Sequence, residues 1–484
     1  MQKFWQLLSL VLAILVVLAL TCVRSYHLRL DGDIAPIVWP RADYVHILHD
    51  PFGWDVLTRH SIYAGPNRFF AHAAMVLYFR HVPLWLQAVA SPINSLYLST
   101  TLFSVGTEVL LLYVMGWYAT GTRRLGSVRL WLAMALMLPF FQTTGYNRQM
   151  AIMDNAVTYN FFYPFPLMLL LVLLWPMYRA VRQGQPVQLA WWHLGLMLLL
   201  GVVLAFNGPI ITGTVLILLL GVGLRAAWQR RHLPATQWLR GLPWRLVLLW
   251  AWLGLLSLYS LYIGRNNTEN ITTSVRSLSE RYELVPDGVW HVLTARLGLP
   301  LLILACLANV QLVRRLLLPA AQTQRLTYTL RWLGLFALVY LLLLPLGGYR
   351  PYRAYILHHD LLLPITAGLV MFYGLSATYL LAQLRGRPRQ WYAAVLVVIA
   401  AVYLNADWRL YPEYDNRLER QALALLAAAD ARPVVHLPKA CTVLSWDPIT
   451  EPLSSITSAE MLEYWHVTSG RKLYYCPPAA DSAR

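Results

Sequence analysis

The sequence has 484 residues, of which 58% are hydrophobic and 13% are charged, whereas soluble domains average about 45–50% apolar and about 25% charged residues. Uncharged runs such as Leu7–Val23 and Leu196–Phe206 exclude a soluble protein, and the presence of only four cysteines excludes a disulfide-rich secreted scaffold. The net charge of +17 would suggest nucleic-acid binding in a soluble protein. Here the basic residues follow a membrane topology instead, so we expect a lipid bilayer as partner and no nucleic acid.

Eleven apolar segments are candidate membrane spans, given that a transmembrane helix needs about 20 residues. They predict an all-α polytopic membrane protein. The first segment is long for the apolar core of a signal peptide, and Thr21-Cys22-Val23 is a poor cleavage site, so we expect an uncleaved helix. The eleven segments are residues 5–23, 95–117, 129–142, 160–177, 190–206, 209–225, 244–263, 290–310, 330–346, 361–383 and 391–404.

The basic residues predict the orientation of these spans. The N-terminus and the segments connecting spans 2–3, 4–5, 6–7, 8–9 and 10–11 contain 18 Lys or Arg residues and no Asp or Glu. These segments are therefore expected in the cytoplasm. Every acidic residue except Glu108 then lies on the external side, and the C-terminus, after an odd number of spans, is external too.

Two long external segments divide the chain into domains. Residues 1–404 form the predicted transmembrane domain, whose first external loop, 24–94, includes an apolar stretch at Phe69–Ala90. His72, Arg80 and His81 interrupt that stretch, so we expect a helix lying on the membrane surface rather than a span. Residues 405–484 are expected to form a small α/β domain. Its elements are a helix at Leu418–Ala431 and short strands at Val434–Leu437 and Cys441–Trp446.

Cys441 and Cys476 both lie in this external tail, whereas the other two cysteines lie in predicted spans. A cysteine pair in an oxidising compartment is a candidate disulfide. Two free thiols are the alternative.

An acidic pair, Asp31 and Asp33, follows the first span and flanks Gly32. Two such carboxylates could share a divalent cation, or one could act as a general base while the other orients it. A turn with solvated acids is the structural alternative. The position of the pair, where an external loop leaves the membrane, favours a functional role.

The loop between spans 9 and 10 concentrates cationic and aromatic side chains. It runs from Arg350 through Arg353 to His358, His359 and Asp360. The arginine fork matches phosphate oxygens, and histidine can add a donor or take up a proton near neutral pH. Snorkelling toward lipid headgroups is the alternative for these side chains.

A third polar segment lies between spans 3 and 4. Arg148, Asp154, Asn155 and Tyr159 offer the charged, amide and aromatic groups that bind a sugar, although a plain interfacial loop would have a similar composition. The polar loop Arg265–Trp290 is long enough to act as a lid. Arg296 is expected near the outer end of span 8.

Taken together, this layout resembles the GT-C superfamily of membrane glycosyltransferases, which use polyprenyl-phosphate-linked sugars. The resemblance covers the whole chain as architecture. Asp31 and Asp33 match the family's first-loop catalytic acid, and Asp154, Arg350 and Arg353 match less specific positions. The W-W-D-x-G pattern of oligosaccharyltransferases is absent, so the subfamily stays open. The preference for Arg over Lys and the short loops are typical of bacterial proteins, which implies the cytoplasmic membrane and a periplasmic active site.

The resemblance implies an inverting transfer. Asp33 or Asp31 would deprotonate an acceptor hydroxyl on a glycan, lipid or protein, while Arg350, Arg353 and His358 would hold the leaving lipid phosphate. A cation, Mg²⁺ or Mn²⁺, could take part at Asp31 and Asp33. The acid and the arginines must then converge on one cavity, with charged ends on the order of 10 Å apart.

Two other functions fit the sequence. A transporter or lipid flippase would place its polar groups at mid-membrane, whereas here only Glu108 lies deep in a span. An O-antigen-ligase-like transferase would use the late-loop Arg and His residues and would need no acid in the first loop.

Overall fold

The structure is a computed structural model that describes residues 1–40, 43–142, 152–232, 243–273, 276–316, 320–350, 353–408, 414–429 and 432–477. It is predominantly helical, with 74% helix and 2% strand. This composition confirms a helical architecture, because each apolar segment satisfies its own backbone hydrogen bonds as a helix.

The N-terminal half contains four helices of 20 residues or more and several shorter ones. Its helices are α1 (Gln2–Tyr26), α2 (Ile34–Val38), α3 (Asp43–His49), α4 (Trp54–Arg59), α5 (Phe69–Leu86), α6 (Pro92–Thr120), α7 (Val128–Met137), α8 (Val157–Phe162), α9 (Pro164–Gln183), α10 (Trp191–Ala205) and α11 (Pro209–Arg230).

The remainder completes the bundle and adds a small C-terminal unit. Its elements are α12 (Trp244–Gly264), α13 (Thr268–Thr273), α14 (Leu278–Thr294), α15 (Gly298–Arg315), α16 (Ala320–Leu343), α17 (His359–Gln383), α18 (Gly386–Trp408), α19 (Arg417–Ala427), β1 (Val434–His436), α20 (Ile456–Tyr464) and β2 (Leu473–Tyr475).

Helices that are long and apolar enough to cross a membrane number nine within the described ranges. They coincide with nine of the eleven predicted spans. The other two segments form shorter apolar helices at Val128–Phe140 and Trp191–Ala205, so their crossing of the bilayer stays a prediction. The structure therefore supports a multi-pass membrane protein.

The boundaries of α6 show how the sequence fixes a span. Ser91 caps the helix by accepting the backbone N–H of Asn94, and Pro92 occupies the first helical position, where no N–H is needed. Gly121 ends the helix with φ +78°, a left-handed conformation that glycine adopts without strain.

The polar loop after α12 is helical, which shifts the next span. Ser277 and Glu280 form a capping box that starts α14, and the following helix, α15, begins only at Gly298. Arg296 therefore lies in the connection between the two helices and not inside a span, contrary to the prediction. A polar stretch with its own caps forms a separate helix because it gains nothing from burial in lipid.

The two ends of the bundle differ in charge. The end where α6, α9 and α15 stop carries basic but no acidic side chains in its described connections, and we call it the basic end. The opposite end, with residues 27–91 and the C-terminal unit, carries both acidic and basic side chains, and we call it the acidic end because the acidic residues lie there. Helix α5 confirms the helix predicted at Phe69–Ala90. Its Met75 and Phe79 are buried, whereas Leu77 and Trp85 are exposed.

The C-terminal unit contains one helix close to the predicted Leu418–Ala431 and a two-stranded sheet. Strand β1 was predicted, but it pairs in parallel with β2. The strand predicted at Cys441–Trp446 is wrong, because that segment is a bent loop lying on the first loop.

One apolar core joins the C-terminal unit to the first loop. Leu30 and Phe79 pack in the same cluster as Leu423 and Trp465. The carboxyl of Glu419 is buried in this junction and accepts hydrogen bonds from the Leu30 N–H (2.9 Å) and from the hydroxyl of Tyr97 (2.8 Å). The unit is thus fixed against both the first loop and α6.

Cys441 and Cys476 carry free thiols in the structure, and both are buried. The Cys476 thiol lies 3.4 Å from the carbonyl oxygen of Cys441, and each thiol is a polar neighbour of the other. The two side chains are therefore close, and the disulfide stays a prediction.

In protein from an oxidising compartment, we expect only two of the four cysteines to react with an alkylating agent after denaturation without reductant. Cys22 and Cys306, which lie in α1 and α15, provide the internal control. Reduction should lower the stability of the C-terminal unit by about 2–4 kcal/mol, because the crosslink restricts the unfolded chain. Mass spectrometry that finds all four thiols alkylated before reduction would contradict the bridge.

Candidate functional site

The turn at Asp31-Gly32-Asp33 lies under the C-terminal unit. Asp31 is 3% exposed and accepts hydrogen bonds from the N–H (3.1 Å) and hydroxyl (2.7 Å) of Thr158 and from the N–H of Asp33 (3.1 Å). Both of its oxygens are therefore engaged. Asp31 joins the first loop to the start of α8 and so positions Asp33.

Gly32 permits the contact between this turn and the C-terminal unit. A Cβ at Gly32 would lie 2.4 Å from the backbone N of Trp446, a separation that no side chain tolerates. The indole N–H of Trp446 donates to the carboxylate of Asp33 across 3.0 Å. The loop around Trp446 thereby holds the Asp33 carboxyl at the start of α2.

The late loop is linked to α13 and to the start of α17. Arg350 forms a salt bridge with Glu269. Arg353 lies 3.5 Å from the carboxylate of Asp360, whose side chain is only 2% exposed. Asp360 also accepts a hydrogen bond from Nδ1 of His358, at 3.0 Å.

His359 connects the late loop to the second loop. Its Nε2 lies 2.6 Å from the carboxylate of Asp154 and 2.8 Å from that of Asp360. The N–H of Ala156 donates to the other Asp154 oxygen at 2.8 Å. One imidazole is thus held between two carboxylates from loops about 200 residues apart in the sequence.

Charged groups of the first loop and the late loop both act on the Asp33 carboxyl. Burial raises the pKa of the Asp33 carboxyl, the indole of Trp446 lowers it, and Glu269 raises it further. Arg68 and Arg350 both lower the pKa, so their guanidinium groups are within electrostatic reach of the Asp33 carboxyl. A carboxyl with a raised pKa is a stronger base.

We call this assembly the outer polar cluster. It comprises Asp33, Arg68, Asp154, Glu269, Arg350, Arg353, His358, His359 and Asp360. The predicted residues Asp33, Asp154, Arg350, Arg353 and His358 all belong to it.

Arg68 is a member that the sequence analysis missed. It precedes α5, and its guanidinium lies 5.8 Å from the ring centroid of Phe162. Within the ranges that the structure describes, no salt bridge joins Arg68 to a carboxylate, whereas Arg350 and Arg353 each have one. A cation placed before an interfacial helix was the only available signal for it.

Aromatic rings flank the cluster. Tyr159 stacks on Trp446 with centroids 6.1 Å apart and an interplanar angle of 24°, and it contacts Tyr163 at 5.9 Å. Tyr159 is also within electrostatic reach of Asp33 and Asp154. Trp446 is therefore a second aromatic ring beside Tyr159, the predicted sugar-binding residue. Sequence reasoning missed Trp446 because it lies 413 residues after Asp33.

One predicted sugar-binding residue, Asn155, is engaged elsewhere in the structure. Asn155 accepts a hydrogen bond from Arg24 at 2.7 Å, so it fixes the second loop against the end of α1. Arg24 also donates to Gln142, which in turn donates to Glu108 at 2.9 Å. Arg148 lies outside the described residues.

His358, a predicted phosphate ligand, is hydrogen-bonded to Asp360 in the structure, and its role stays a prediction. Burial lowers its pKa, although Asp360 opposes this effect, so the imidazole is neutral at pH 7. With Nδ1–H donating to Asp360, Nε2 carries the lone pair and can only accept. Phosphate binding is therefore better assigned to the arginines.

Among the described residues, two groups have spacings that could hold a metal ion: His358, His359 and Asp360 form one, and His46, Asp50 and Asp55 the other. In each, the ligand atoms lie within 4.8 Å of one another. However, Nε2 of His359 already bonds two carboxylates, and both oxygens of Asp50 accept backbone N–H groups. The predicted pair fits no better, because both Asp31 oxygens are engaged, so we derive no step through a cation.

Two buried carboxyls at this end predict a pH dependence of stability. Burial raises the pKa of Asp31 to about 7, and the Asp33 carboxyl adds to the rise. Burial likewise raises the pKa of Glu419 to about 7. The ordinary pKa of Glu is 4.5, so between this pH and about 7 the folded protein binds more protons than the unfolded chain. The free energy of unfolding is therefore highest below this pH range and falls as the pH rises through it.

We expect the thermal unfolding temperature of the detergent-solubilised protein to be higher at about pH 5 than at about pH 8. Ionisation of Glu419 should lower the free energy of unfolding by about 3 kcal/mol over this range. Glu419→Gln keeps an acceptor for Leu30 and Tyr97 but cannot ionise. This variant should have a flatter profile. A wild-type profile that rises with pH would contradict the assignment.

The fold and the cluster together define the class: a multi-pass helical membrane protein with an acid, several cations and aromatic rings gathered at one end. Comparison of the sequence with protein-family models and with curated proteins finds no match. The resemblance to the GT-C superfamily therefore stays a prediction.

Proposed function

We propose that the protein is a membrane glycosyltransferase that moves a sugar from a polyprenyl-phosphate donor to an acceptor hydroxyl at the acidic end, the predicted periplasmic side. One observation carries the proposal. The carboxyl of Asp33 is within electrostatic reach of Arg68, from the same loop, and of Arg350, from the late loop more than 300 residues away. An acid for the acceptor and cations for the leaving group are what this transfer needs.

In the proposed reaction, Asp33 removes the proton of the acceptor hydroxyl, and the oxygen attacks the anomeric carbon. The bond between that carbon and the phosphate oxygen breaks, and its electron pair remains on the lipid phosphate. Arg68 and Arg350 stabilise this developing charge. Attack opposite the leaving group inverts the anomeric configuration.

The salt bridges of the cluster bear on donor binding. Arg350 is paired with Glu269, whose side chain is 41% exposed, so a phosphate can replace this carboxylate at little cost. Arg353 is paired with the buried Asp360 and is less easily released. Arg68 and Arg350 are therefore the better phosphate ligands, and Arg353 mainly holds the late loop.

The aromatic pair Tyr159 and Trp446 supports a role in sugar binding. Aromatic faces pack on the C–H groups of pyranose rings, and the Trp446 indole is already fixed by Asp33. The sugar would lie between this pair and the arginines, with its anomeric carbon toward Asp33.

The test is direct transfer. The purified protein in liposomes is given polyprenyl-phosphate-linked hexoses and pentoses with membrane glycolipids as acceptors, and lipid phosphate release and product anomer are measured by mass spectrometry and NMR. We expect a product of inverted configuration. Retention of configuration would exclude the direct displacement. Transport of the intact donor across the bilayer without cleavage would instead support the flippase alternative.

A further inference from the structure

A cleft opens between α15 and α16 at the basic end of the bundle. It has a volume of about 610 Å³ and is lined by side chains of both helices. Leu304 and Leu307 line it on α15, and both are more than half exposed. Because both helices belong to candidate membrane spans, the exposed leucines indicate that the cleft opens toward lipid.

The lining of α15 changes from apolar to polar toward the basic end. Leu304, Leu307, Gln311 and Arg314 recur every three or four residues, so they share one face of the helix. Arg314 lies about 15 Å further along the helix than Leu304, at about 1.5 Å per residue. The cleft therefore offers apolar surface at the depth of lipid tails and a cation at the level of headgroups.

The facing helix adds two more polar side chains, because Thr327 and Arg331 of α16 also line the cleft. Within the described part of the chain, neither Arg314 nor Arg331 forms a salt bridge, a hydrogen bond or a ring contact. The side chains of Gln311 and Thr327 likewise form no hydrogen bond with a described residue. All four groups are therefore available to a ligand.

Other arginines at this end have a structural role. Arg182, at the end of α9, donates to the carbonyl of Thr120 at 2.8 Å and so satisfies the end of α6. Arg314 and Arg331 have no such contact with a described residue, so their charges are not used to hold the helices together.

The chain supplies no carboxylate nearby to balance these two cations. The sequence has no Asp or Glu between Asp287 and Asp360, a stretch that contains both helices completely. The described connections at the basic end carry no acidic side chain either. A balancing negative charge at the cleft therefore comes from outside the protein.

We propose that the cleft binds an anionic glycerophospholipid from the leaflet at the basic end, the predicted cytoplasmic side. The phosphodiester oxygens accept hydrogen bonds from the guanidinium groups of Arg314 and Arg331, and an acyl chain packs on the leucines of α15. A basic pocket between membrane helices suits an anionic headgroup. The inference is independent of the proposed function, because the outer polar cluster lies at the opposite end.

The experiment uses the full-length protein in phosphatidylcholine liposomes that contain a minor fraction of phosphatidylglycerol with a diazirine on its acyl chain, next to the glycerol. After illumination and digestion, mass spectrometry should find the label in the facing segments of α15 and α16. A phosphatidylethanolamine probe with the same diazirine should label these segments much more weakly, because its ammonium group cancels the phosphate charge.

Two double variants that remove the same charge test the assignment. Arg314→Gln should reduce the phosphatidylglycerol labelling about fivefold, equivalent to about 1 kcal/mol for one arginine beside an anionic lipid. Adding Arg331→Gln should reduce the labelling by about the same factor again. The matched control replaces Arg387 and Arg389 by Gln, since both are exposed at the start of α18 at the same end, and it should leave the labelling unchanged.

The contrary results are equally specific. Equal labelling by the two probes, labelling outside α15 and α16, or an equal loss in both double variants would overturn the site. If glycerol 3-phosphate displaces the probe as well as intact phosphatidylglycerol does, the cleft binds a soluble phosphate and the lipid assignment is wrong. If the Arg314→Gln variants fail to fold, the comparison of the two probes on the wild-type protein decides.

Discussion

Replacing Asp33 by Asn is expected to lower the turnover of sugar transfer by about 10²–10⁴-fold, the usual contribution of a general base. The amide oxygen can still accept the Trp446 indole N–H, so the turn keeps its geometry. Steady-state kinetics at saturating donor would show the loss in kcat, and an unchanged thermal unfolding temperature would show that the fold is intact.

The control for this variant is Asp447→Asn. Asp447 is exposed beside Trp446. Its replacement removes one negative charge from the same end of the protein without changing a residue of the cluster, so activity should be unchanged. If Asp33→Asn transfers sugar at the wild-type rate, the base lies elsewhere. The O-antigen-ligase-like alternative, which uses only late-loop Arg and His residues, would then be favoured.

Replacing Arg350 by Ala is expected to raise the KM for the donor about 10- to 100-fold, because hydrogen bonds to a charged group contribute about 1.5–3 kcal/mol. An interaction with the phosphate in the bound ground state affects KM more than kcat. Glu269→Gln should act in the opposite direction, since it releases Arg350 from its salt bridge.

Arg265→Ala serves as the matched control. Arg265 is exposed in the segment before α13, and its guanidinium lies over the ring of Tyr262, at 4.3 Å. Its loss should leave the donor KM unchanged. A common increase in KM for both arginine variants would indicate a general electrostatic effect and would remove Arg350 from the site.

Much of the fold followed from the sequence because a span is encoded locally. Each apolar segment forms its own helix, and caps such as Ser91 and Gly121 mark its ends. The exceptions involve polar sequence near the membrane. The capping box at Ser277 starts a separate helix, which moved Arg296 out of a span, and β1 found its partner only at Leu473–Tyr475.

The site was partly predictable for a similar reason. Asp33 was identified because it belongs to a pair of carboxylates directly after a span, and Arg350 and Arg353 because arginine is less common on the external side of a membrane. Arg68 and Trp446 carry no such local signal, since their significance arises from contacts with residues far away in the sequence. The engagement of Asp31 by Thr158, which makes it a positioning residue, could not be predicted from the D-x-D pattern alone.

The contact between Asp33 and Trp446 also has a consequence for biosynthesis. The two residues are 413 positions apart, so the second leaves the ribosome well after the first. At about 5–20 residues per second, the first-loop acid reaches its side of the membrane about 20–80 s before the indole that holds it. During this interval the nascent chain carries the first-loop carboxyl without the indole that holds it, and the contact forms only after Trp446 has been synthesised.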